Sequence, residues 1–158
     1  MQNLHLYLND HLAGSIAALE LVAHLIDTSN DPTLKAWLID LRREIEADQN
    51  VLQDLLRQVG AEESTMRKAG AWILEKFSRL KLQQGAEDNG IDLFQALEGL
   101  ALGISGKRAL WRMLAQVATT NTKLHGLDYG QLEERATEQF GNVESKCLEL
   151  AKTVFQPD

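Results

Sequence analysis

A chain of 158 residues, 44% hydrophobic and 25% charged, has the composition of one globular domain (1–158) long enough to bury a core. Its 23 acids against 16 lysines and arginines give a net charge of −7, which argues against nucleic-acid binding. A lone cysteine, Cys147, rules out an intrachain disulfide; with no basic leader and no membrane-length apolar run, a cytoplasmic protein without integral membrane association is expected.

Leu, Ala, Glu, Gln and Lys dominate and there are two prolines, so helix is expected throughout. The first predicted helix runs from about Leu4 to Ile26. Leu8, Leu12, Ile16, Leu19, Ala23 and Ile26 form one apolar row, and Leu4, His11, Ser15, Ala18, Val22 and Leu25 the row beside it. Gly14, Ser15, Ala17 and Ala18 keep its middle slim, which allows close approach. A short turn, Asp27-Thr28-Ser29-Asn30, should return the next helix antiparallel. That helix opens on Asp31-Pro32, an N-cap followed by proline at the first helical position, and closes at Gly60. Leu34, Leu38, Leu41, Ile45, Leu52, Leu55 and Val59 recur at steps of four and three, and the one charge in the series is Asp48.

A shorter helix is expected from about Thr65 to Leu82, with a basic face of Arg67, Lys68, Lys76, Arg79 and Lys81 around Trp72. Trp72, Lys76 and Arg79 make a candidate docking patch for an acidic protein partner. After the loop 83–90, a third long helix runs from about Ile91 to Asn121. Its stripe of Leu93, Leu97, Leu100, Ile104, Trp111, Leu114 and Ala118 is broken only by Lys107. Gly99, Gly103 and Gly106 surround that lysine and could admit a close backbone or bend the helix. Asp128 is an N-cap with Gln131 at the capping-box position. The last helix, about Tyr129 to Phe155, presents Leu132, Ala136, Gln139, Phe140, Val143, Cys147, Leu150 and Val154.

Tight links thus join the first helix to the second and the third to the fourth, with some thirty residues between the pairs. In topology and helix lengths the whole chain resembles the ferritin-like superfamily, all-α four-helix bundles with one long crossover, here a short helix, between the second and third long helices. The resemblance implies a site at the bundle centre, where metal-bearing members hold iron or manganese with Glu residues and Glu-x-x-His pairs. This sequence has no Glu-x-x-His, and its histidines, at 5, 11, 24 and 125, fall outside the second and fourth helices. Glu20 and His24 share a helix, but on its outer arc.

Five polar residues fall on inward faces: His11, Ser15, Asp48, Lys107 and Gln139, with Glu44 one turn before Asp48. The expectation is that Asp48 and Lys107 pair, with His11, Ser15 or Gln139 completing the hydrogen bonds, because a lone buried charge is costly. The ammonium of Lys107 would supply the positive charge that a metal would otherwise bring, so no metal and no cofactor is expected. Gly103-Ile104-Ser105-Gly106-Lys107 lacks phosphate-loop spacing, since Arg108 follows the lysine. The functional expectation is a non-catalytic binding or structural protein, homodimeric through an apolar helix face. The alternative is a di-metal ferritin-like oxidoreductase or metal-handling protein using Glu44, Asp48 and His11.

Overall fold

The structure is a computed structural model that describes residues 2–60 and 90–156. Among them are four long helices and no strand: α1 (Gln2–Thr28), α2 (Pro32–Val59), α3 (Ile91–Ala118) and α4 (Tyr129–Val154), with a 3-10 turn at Thr122–Leu124. The chain is all-α. The expected crossover helix, with Trp72, Lys76 and Arg79, lies outside the described residues.

Local chemistry sets the helix ends. Asp31 is extended (φ −87°, ψ 113°) and its carboxylate accepts from the Thr33 amide at 2.8 Å, while Pro32 fills the first helical position. Gly60 takes the left-handed conformation (φ 79°), and its N–H donates to the Arg57 carbonyl at 3.1 Å. Asp128 accepts from the Gln131 amide at 3.0 Å at the start of α4. α3 ends three residues before the expected Asn121 because the side chain of Asn121 accepts from the Lys123 amide at 3.1 Å and starts the 3-10 turn instead.

The chain divides into two compact units. One holds α1, α2 and the segment Gln116–Leu127; the other holds α3 up to Ala115 and the segment from Asp128 that forms α4. In the first unit α1 and α2 are antiparallel. The His5 ring donates to the Val59 carbonyl (3.1 Å), and Gln49 donates to the Ser15 hydroxyl (3.0 Å). Ser15 lies ten residues after His5 and Gln49 ten before Val59, so both contacts obey one register. The returning segment closes on the end of α2, where Gln58 donates to the His125 carbonyl and Leu124 is fully buried. Leu8, Leu12, Leu38, Leu41, Ile45, Leu52 and Leu55 are buried here.

α1 departs from expectation. Its buried residues are Leu8, Asn9, Leu12, Ala13, Ala17 and Val22, whereas Ile16, Leu19 and Ile26 are only half-buried. α1 is apolar on most of its circumference, so its sequence does not single out one inward arc. Among the described residues, no atom lies within 4 Å of a Cβ added at Gly14.

In the second unit α3 and α4 are also antiparallel. Phe94 meets Phe155 edge to face (5.1 Å between centroids), Arg112 Nε donates to Glu133 at 2.9 Å, and the Arg108 guanidinium lies over the Phe140 ring. Leu97, Leu100, Ile104, Trp111 and Leu114 of α3 are buried, as are Leu132, Ala136, Val143 and Cys147 of α4. Nothing described approaches Gly99, Gly103 or Gly106, whose added Cβ atoms would meet no atom within 4 Å.

Candidate functional site

The helical period carries α2 from Leu41 and Ile45 to Leu52 and Leu55 through position 48, so Asp48 has no choice of face. It is 3% exposed. A carboxylate so far from water needs a counter-charge or several hydrogen bonds, and Asp48 is engaged, not free. The arginines of its own helix are occupied elsewhere: Arg42 pairs with Glu46, Arg43 with Asp40 and Arg57 with Asp54, all at the surface.

In the second unit, Lys107 of α3 donates from Nζ to Oε1 of Gln139 on α4. Gln139 is 2% exposed and Lys107 half-buried. Both take part in further interactions, as does Arg135, one helical turn before Gln139. The sequence does not mark Arg135: it sits beside the apolar stripe and not in it, so only tertiary structure reveals that it is engaged.

The other expected members are placed elsewhere. Ser15 donates to the Leu12 carbonyl (2.7 Å) and accepts from Gln49, a partner the sequence did not announce. His11 packs edge-on against Tyr7 of its own helix, 4.7 Å between centroids. Burial lowers its pKa from the ordinary imidazole value, against the opposing pull of Asp10. Glu44 is exposed, since Leu41 and Ile45 take the inward positions and its carboxylate keeps its hydration. Glu44, Asp48 and His11 therefore do not converge, and no group of three His, Cys, Asp or Glu side chains able to hold a metal occurs among the described residues. Glu20 is exposed, on the outer arc.

Sequence reasoning also missed His5 and Asn9. Both histidines at helix ends meet a carbonyl there: His5 at Val59 and His125 at Ala118 (2.9 Å), each satisfying one of the acceptors a helix C-terminus leaves over. Asn9, 2% exposed, donates to the His5 carbonyl at 2.8 Å, and its Oδ1 finds no partner among the described residues. Trp111, 1% exposed, is the packing residue expected, though its indole N–H likewise has no partner among the described residues. Cys147 is buried, and burial, followed by the charges of Glu98 and Glu144, raises its pKa, so the thiol stays protonated at neutral pH. No helix among the described residues is long and apolar enough to cross a membrane. Comparison with known proteins finds no matching family model, no matching curated protein and no matching solved structure.

Proposed function

We propose that this chain is a ferritin-like helical bundle in which a buried charge group replaces the metal site, and that it serves as a non-catalytic binding or structural protein that works as a homodimer. In this reading Asp48 is neutralised by Lys107 and Arg135, with Gln139 fixing the lysine. The observation that carries it is a 3%-exposed, engaged aspartate at the middle of an otherwise apolar stripe. Three facts support it further. The Lys107–Gln139 bond holds an ammonium at the middle of its helix pair. The arginines of α2 are already paired at the surface, which leaves the neutralising charge to come from another helix. Glu-x-x-His pairs are absent from the sequence.

Such a group sets helix register: a one-residue slip would move Asp48 off its counter-charges and bury it alone. Elemental analysis of the chain purified without chelator, run beside Asp48→Asn, tests the proposal. The expected result is no stoichiometric metal in either protein and a large fall in melting temperature for Asp48→Asn. Stoichiometric iron, manganese or zinc that disappears with Asp48→Asn would overturn it.

A further inference from the structure

We infer that the outer face of α3 receives a second copy of this chain, antiparallel, about a two-fold axis passing between Ser105 and Gly106. This rests on the homodimeric part of the reading above and not on the charge group. α3 buries Ile104 and Trp111 on one side, yet its opposite side is also apolar. Leu102 is 75% exposed, Met113 49% exposed, and Ala109 is exposed. Leu102, Gly106, Ala109 and Met113 follow one another at steps of four, three and four, which aligns them along one line of the helix. The outward line of α2 instead carries Asp40, Arg43, Asn50 and Asp54 alongside Ala36 and Ala47.

Two properties of the α3 face match it to a copy of itself. The first is size. With the axis between residues 105 and 106, Leu102 falls opposite the partner's Ala109, and Met113 lands one residue from the partner's Gly99. Each large side chain meets a small one, and the space over Gly99 and Gly106 is open, with nothing described within 4 Å of an added Cβ. The second is charge. Glu98 and Arg112 lie on the same edge of the face, at its two ends, so the antiparallel pairing sets each Glu98 opposite the partner's Arg112. Arg112 already donates to Glu133, but its side chain is 58% exposed and a guanidinium carries five N–H donors, so it can receive a second carboxylate. One helix face buries less than the roughly 800 Å² per partner of a standard interface, so the dimer is weak and concentration-dependent.

Sedimentation of the full chain from micromolar to millimolar concentration tests this. The mass should rise from 17.7 kDa towards twice that value. Leu102→Glu and Glu98→Arg should each stay monomeric with unchanged helical content, and Glu98→Arg combined with Arg112→Glu should regain the dimer. Should that double variant be weakened because Arg112→Glu meets Glu133, cross-linking decides. Leu102→Cys and Ala109→Cys chains, mixed and oxidised, should join to each other and not to themselves. A chain that is monomeric at every concentration overturns both the interface and the homodimer. A dimer indifferent to Leu102→Glu and Glu98→Arg overturns this interface and leaves a homodimer standing.

Discussion

His11 gives the chain a pH-dependent contribution whose sign follows from its burial. Its folded-state pKa lies below the ordinary value of about 6.5 because burial disfavours the charged ring more than Asp10 favours it. On lowering the pH the unfolded chain therefore takes up the proton first. The contribution to stability is complete above that ordinary value and is lost as the pH falls through it towards the folded-state value. Urea titrations near neutrality and in mild acid should show a larger fall for the natural chain than for His11→Gln; parallel falls would contradict this. Cys147, with its thiol pKa raised by burial, should react with iodoacetamide only as fast as the protein opens, and immediate labelling of folded protein would count against that. Asp48 and Gln139 were legible in the sequence because each interrupts an apolar series, and a polar residue at a fixed helical step has nowhere else to point. Ser15–Gln49 and His5–Val59 were not, because the register between residues 34 and 54 apart in the chain decides those partners.

The helices themselves were largely readable, and their caps explain why. Asp31, Gly60 and Asp128 act through groups within three residues of themselves, so sequence alone identifies them. Asp31→Ala should cost about 1 kcal/mol in thermal or chemical denaturation, through loss of its bond to the Thr33 amide. An unchanged midpoint would show that the cap is idle. Gly14 lies inside α1 with open space around its missing side chain, so Gly14→Ala should stabilise by roughly 0.5–1 kcal/mol. A loss of stability there would reveal a close neighbour. The α1 inward face was harder to read. Its apolar residues spread around the helix, and a pattern without contrast cannot say which of Ile16 or Ala17 turns inward. Asn121 illustrates the other limit: its side chain competes with the helix it would have continued.

At the scale of the molecule, the four long helices among the described residues were legible in the sequence, since tight turns join the helices of each pair and the stripes are long and regular. The proposed ferritin-like arrangement would be a matter of connectivity through the segment between α2 and α3, and no residue pattern encodes it directly. The proposed neutralisation of Asp48 by Lys107 and Arg135 is the claim on which the functional reading turns. A double-mutant cycle measures it: Asp48→Asn, Lys107→Met and the two together, each followed by urea denaturation. Each single change should lower stability by upsetting the charge balance, Asp48→Asn more than Lys107→Met because Arg135 stays beside the acid, and the double variant should lose less than the sum, giving a coupling energy above about 1 kcal/mol. Single changes that are harmless, or losses that simply add, would show that the acid and the base do not meet.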